Sequence, residues 1–161
     1  MQHKTKEQIA SIIQTLKAQN KTISFAESCT GGKIAAAFTS VSGASSILEG
    51  SVVTYSNEIK HQWLDVDSEV LELYGAVSEE CVIQMLHGIQ KMAQSDYAIA
   101  VSGIAGPTGG SKEKPVGTVY IGLLIPNMQE VFHSVFHGER EEVQEQSTLF
   151  AIKKLAEVLE I

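Results

Sequence analysis

The chain is poor in cysteine, proline and basic residues, and each shortage removes a class of protein. It has 2 cysteines, Cys29 and Cys81, and 3 prolines in 161 residues. Two thiols are too few for the disulfide framework of a small secreted domain, and so little proline excludes collagen and low-complexity chains. The histidines, His3, His61, His87, His133 and His137, lie in no ligand motif. His133 and His137 are four apart, but on a segment that reads as strand, so no metal site is expected. Lys and Arg number 12 against 19 Asp and Glu, a net charge of −7. That balance argues against a nucleic-acid partner, since duplex binding needs a basic face. No run nears the roughly 20 apolar residues of a membrane span, and the charged N-terminus lacks the apolar stretch of a signal peptide. The expectation is a cytoplasmic protein with free thiols and no membrane partner.

What remains is a 43% apolar chain, enough to bury one core over residues 1–161. Ile9, Ile12, Ile13 and Leu16 recur at helical spacing, predicting a helix over 6–18. Residues 22–26 (TISFA) read as a buried strand, 33–39 as a helix and 51–55 (SVVTY) as a second strand. Short helices are predicted over 57–64 and 69–74. A longer one spans 77–94, N-capped by Ser78, with Val82, Met85, Leu86, Ile89 and Met92 on one face. The run 97–102 (YAIAVS) suits a central strand covered on both faces. Strands over 116–125 and 130–137 flank a Pro126-Asn127 turn, and 140–161 closes as a helix striped by Val143, Leu149, Ile152, Leu155, Ala156 and Leu159. The pattern predicts a three-layer α/β/α sandwich with a mixed, mostly parallel sheet of about five strands.

In such folds ligands gather at the carboxyl ends of strands. Three polar segments fall there: Glu27–Gly32, Tyr55–Lys60 and Ser102–Gly110. Ser28, Thr30, Gly31 and Gly32 place hydroxyls and flexible backbone at a helix start, which suits an anion, an oxyanion or a simple cap. Ser28 is a candidate nucleophile, with Cys29 its neighbouring rival. Lys60 is either a solvated surface residue or, if held neutral, a base for that serine, and Tyr55 can relay or steady the proton. The glycine-rich loop from Gly103 resembles a phosphate cradle but lacks the G-K-[ST] of a nucleotide-hydrolysing P-loop. Arg140 can clamp a phosphate or pair with Glu141 or Glu142.

Taken together, AESCTGG (Ala26–Gly32), YSNEIK (Tyr55–Lys60), YGAVSEE (Tyr74–Glu80), VSGIAGPTGG (Val101–Gly110), KPVGTVYIG (Lys114–Gly122) and GERxxV (Gly138–Val143) closely resemble the CinA C-terminal domain family. The likeness covers essentially the whole chain. It implies an α/β/α fold and, from the family's active members, hydrolysis of nicotinamide mononucleotide to nicotinate mononucleotide and ammonia in pyridine-nucleotide recycling. Carried over motif by motif, it implies Ser28 as nucleophile, with Lys60 and Tyr55 as its catalytic partners. It also implies a substrate site in the Gly103–Gly110 loop, with Arg140 on the phosphate. Thr30, Gly31, Gly32, Ser102, Gly103, Thr108 and Gly109 are the further substrate contacts expected.

Such an enzyme needs no cofactor, and its partner is a small pyridine nucleotide; homo-oligomerisation is left open. The family often has glycine where Thr108 stands and a second arginine where Gln144 stands. The first departure adds a hydroxyl to the loop, and the second removes a positive charge from the phosphate side. Longer relatives carry an N-terminal nucleotide-pyrophosphatase-like domain, for which this chain has no room. A non-catalytic regulatory protein that binds a nucleotide or a partner is the rival reading.

Overall fold

The computed structural model describes residues 1–161. In chain order the elements are α1 (His3–Ala18), β1 (Ile23–Glu27), α2 (Lys33–Thr39), a short 3-10 turn at Ala44–Ser46, β2 (Leu48–Val53), α3 (Asn57–Leu64) and α4 (Ser68–Leu73). There follow α5 (Glu79–Ala93), β3 (Tyr97–Gly103), β4 (Thr118–Ile125), β5 (Met128–Val135) and α6 (Arg140–Val158). The sheet order is β2-β1-β3-β4-β5. Parallel pairing joins β2, β1 and β3, and antiparallel pairing joins β3, β4 and β5. Four strands thus point one way and only β4 opposes them, which is the mixed α/β sheet that the sequence pattern predicts.

Alternation along the central strands sorts side chains into two unequal cores. Ile23 and Phe25 of β1, Tyr97, Ile99 and Val101 of β3, and Val119, Ile121 and Leu123 of β4 face α1, α2 and α6. Full burial of one such side chain is worth about 1.5–3 kcal/mol. The opposite face carries Ala26, Ala98, Ala100 and Gly122, over which α5 lies. A Cβ on Gly122 would stand 2.7 Å from both Leu86 Cδ1 and Val82 Cγ1. Large residues on one face and small ones on the other pin the register, because a one-residue slip would exchange them.

Two strands lie two or more residues from their expected bounds at both ends. β2 begins at Leu48 and ends at Val53, because pairing with β1 recruits the mixed Leu48-Glu49-Gly50 stretch across a register shift after Ile23. Tyr55 therefore lies beyond the strand. β5 begins at Met128, since the Pro126-Asn127 turn, with Asn127 at φ +70°, sets Ile125 opposite Met128. On α6, Leu149 and Leu159 are only half-buried, and Ala151 joins the buried stripe. Ser78 caps α5 as expected, its Oγ accepting from Cys81 N at 3.2 Å. No helix is long and apolar enough to cross a membrane.

Beyond the sheet, α3 is held against α5 at Gly88. A Cβ there would collide with the Leu64 carbonyl at the end of α3. Gly88→Ala is therefore expected to displace α3 and cost about 1–3 kcal/mol, read as a fall in the urea unfolding midpoint.

Candidate active site

β1 ends on a carboxylate that is wholly buried. Glu27 Oε1 accepts from Thr30 Oγ1 (2.6 Å), Gly32 N (3.2 Å) and Ile34 N (3.0 Å), and Oε2 accepts from Ala35 N (3.0 Å). The open amides of the first turn of α2 are thus satisfied from inside the protein, by a charge of the sign that end of a helix favours. The chain reverses through Gly31 and Gly32, at φ +62° and +99°, conformations that glycine adopts without strain.

The structure does not bring Thr30, Gly31 and Gly32, expected as substrate contacts, into the cavity. The Thr30 hydroxyl and the Gly32 amide serve Glu27, the Gly31 amide donates to Ser28 O at 3.0 Å, and none of the three lines the cavity. Glu27 itself went unassigned in the sequence. Its signal was an acid at the end of an apolar strand, immediately before a glycine turn.

Ser28 projects from this turn toward α3. Ser56 caps α3 by accepting from Ile59 N at 3.2 Å, and the first turn delivers Lys60 into the interior, where it is 1% exposed. Lys60 Nζ donates to the Thr54 carbonyl at 2.6 Å and lies 3.0 Å from Ser28 Oγ. No carboxylate forms an ion pair with it. Burial holds its pKa below the ordinary 10.5, with the thiols of Cys81 and Cys29 opposing the shift. The surface-lysine alternative is thereby excluded. Cys29 is buried beside Ser28, and burial pushes its pKa up to about 12. It is a protonated thiol at neutral pH, the state least suited to a nucleophile.

A cavity of about 240 Å³ opens over the pair. Ser28, Tyr55, Lys60, Ser102, Gly103, Thr108, Gly109 and Arg140 all line it. Asn57, Ala76, Val77, Ala105 and Gly106 line it too; Asn57 sits within the YSNEIK motif, whereas the short apolar pairs gave no chemical signal. Tyr55 is at the rim, 61% exposed, and its hydroxyl accepts from Arg140 Nη2 at 2.6 Å. It bonds neither Ser28 nor Lys60, so the geometry offers no proton relay through it. Arg140 Nη1 donates to the Gly106 carbonyl at 2.6 Å. It does not pair with Glu142, whose carboxylate instead accepts from Glu139 N in a capping box. Gln144, one turn on, donates from Nε2 to the Cys29 carbonyl at 2.9 Å and so braces the turn that carries Ser28.

The loop is pinned where it leaves the sheet, Ile104 N donating to Thr118 O and Gly117 N to Ile104 O, each at 2.8 Å. Beyond that, the amides of Ala105, Gly106, Thr108, Gly109 and Gly110 donate to no protein group. A run of free amides is an anion-binding surface. No three His, Cys, Asp or Glu side chains come together in a way that could hold a metal ion.

The fold and site define a three-layer α/β/α protein with a buried serine–lysine pair at its strand ends. The chain belongs to the CinA C-terminal domain family, whose model matches residues 5–159. It is 46% identical over 149 residues to a CinA-like protein of Petrotoga mobilis, covering 92% of this chain but only 37% of that one. It is also 46% identical to the nicotinamide-nucleotide amidohydrolase PncC of Shigella flexneri, over 88% of this chain and 87% of that one. Among solved structures, the competence damage-inducible protein A of Klebsiella pneumoniae superposes with a TM-score of 0.93, at 38% identity over 97% of both chains.

A buried amine without a counter-charge weakens the fold that holds it. Because folding lowers the pKa of Lys60, the native state binds fewer protons than the unfolded chain between that lowered value and 10.5, and stability rises with pH across the window. Lys60→Met is expected to melt higher than the parent at neutral pH, by on the order of 1 kcal/mol. The gap should narrow as pH approaches 10.5, as followed by thermal denaturation across pH.

Proposed function

We propose that this chain is an amidohydrolase that converts nicotinamide mononucleotide to nicotinate mononucleotide and ammonia, with Ser28 as nucleophile. The observation that carries the reading is the 3.0 Å approach of a buried, uncompensated Lys60 amine to Ser28 Oγ. A neutral Lys60 takes the serine proton as Oγ attacks the carboxamide carbon. The C–N bond then breaks, Lys60 returns the proton to the nitrogen, and ammonia leaves an acyl ester on Ser28. Water, deprotonated by Lys60, hydrolyses that ester. This route supplies its own nucleophile and calls for no cofactor.

The anionic end of the substrate is assigned to the free amides of the 105–110 loop, the Thr108 hydroxyl and Arg140. Two of the guanidinium's five N–H donors hold Gly106 and Tyr55, which leaves others for a phosphate. Tyr55 belongs with this binding side, at the rim. The name of the Shigella relative supports the substrate, and the absence of a membrane-crossing helix is in keeping with work in the cytoplasm.

Release of ammonia from nicotinamide mononucleotide tests the reading directly. Ser28→Ala is expected to lose about a thousandfold or more of kcat while keeping its fold. Lys60→Arg should be as damaging as Lys60→Ala, because a guanidinium accepts no proton near neutrality. Since the base works unprotonated, kcat/KM should climb with pH through a midpoint below 10.5. A Ser28→Ala protein as active as the parent, beside an inactive Cys29→Ala, would reassign the nucleophile.

Arg140 is examined by comparing nucleotide with riboside. A charge-assisted contact to phosphate is worth about 1.5–3 kcal/mol. Arg140→Ala should accordingly raise KM for the mononucleotide about tenfold or more and barely alter turnover of the riboside. Equal damage to both substrates would make Arg140 a brace for Gly106 and Tyr55 only.

A further inference from the structure

After Ser28 the Thr30 hydroxyl and the Gly31 and Gly32 amides are engaged within the turn, which leaves the Cys29 and Thr30 amides as its free backbone donors. The strand next door adds a side-chain donor. β1 and β3 are paired in parallel with Ala26 opposite Ala100, and two further residues along each chain are Ser28 and Ser102. Ala98 and Ala100 face the α5 side of the sheet, so alternation puts Ser102 on that face too, the side from which Lys60 enters. Ser102 is 1% exposed and lines the cavity.

Its hydroxyl bonds no protein group. The sealed hydroxyls without a partner are those of Ser51 and Thr54, so that of Ser102 opens on the cavity. Gly103 follows directly, where a Cβ would stand 2.7 Å from Val119 Cγ2; this crowding fixes the strand end that carries Ser102. A buried, uncommitted donor held by a central strand beside the nucleophile is suited to a charge that exists only during reaction.

Building on the amidase reading above, we infer that Ser102 donates the hydrogen bond that holds the carboxamide oxygen as it becomes an oxyanion. As Ser28 Oγ bonds to the carbonyl carbon, the C=O π pair moves onto oxygen and the serine proton passes to Lys60. Ser102 keeps its own proton and shares it with the new anion. When the C–N bond breaks, the carbonyl re-forms and that hydrogen bond weakens. The contact is strongest in the transition state, so its loss falls on kcat rather than on KM.

The test measures ammonia release from nicotinamide mononucleotide by parent, Ser102→Ala and Ser102→Thr, together with binding of pyridine-3-boronic acid, a tetrahedral mimic. Ser102→Ala is expected to lower kcat about 10²–10³-fold, to leave KM within about threefold, and to leave the pH midpoint of kcat/KM in place. Ser102→Thr should recover at least about tenfold, and boronate affinity should fall with kcat. If the alanine variant melts early, Ser102→Cys, similar in size but a weak donor, must show the same loss.

An unchanged kcat, a defect in KM alone, or boronate binding insensitive to Ser102→Ala would overturn the assignment. A parent protein that releases no ammonia would overturn the amidase reading, and this assignment with it.

Discussion

Glu27 is the anchor on which the site depends. A carboxylate with no exposure is costly unless it is hydrogen-bonded, and here four donors from the next eight residues reach it. In meeting that demand the chain is forced into one turn, α2 is started at a fixed angle, and Ser28 is pushed out to face α3. The arrangement removes freedom from Ser28, which is what preorganisation of a site requires. It also uses up polar groups near Ser28 that a looser turn would have left for a ligand.

A second constraint comes from α6, which touches three walls of the cavity within two turns. Arg140 ties the glycine loop to Tyr55, and Gln144 ties the nucleophile turn to the helix. These contacts join segments far apart in sequence, so a change at the helix start is felt at several strand ends together. Where the family often has a second arginine, Gln144 satisfies a carbonyl with a neutral donor. Its effect is on the posture of the turn more than on the charge of the cavity.

Much of this was legible in the sequence. The sheet elements follow from short β-prone and apolar runs and the helices from their apolar stripes, and Ser28, Lys60, Ser102 and Arg140 come to one cavity. What escaped was governed by long-range pairing or by side-chain partners. The extent of β2 depends on its register against β1, which local propensity does not contain. The fate of Thr30, Gly31 and Gly32 depends on where Glu27 aims its carboxylate. Tyr55 was expected beside the base because it is five residues from Lys60. With β2 ending at Val53, its side chain reaches the rim and Arg140 instead.

The order in which these parts occur along the chain has a consequence for synthesis. Ser28 and Lys60 lie between Ile23 and Leu64, whereas the residues that tie the rim together belong to α6, far later in the chain. Until α6 is made, Gly106, Tyr55 and the Cys29 carbonyl lack these partners, and the larger core lacks Val143, Ala151, Ile152, Leu155 and Ala156. Docking of α6 then completes the cavity wall and the larger core in one event. Site and core are therefore completed together, once α6 is in place.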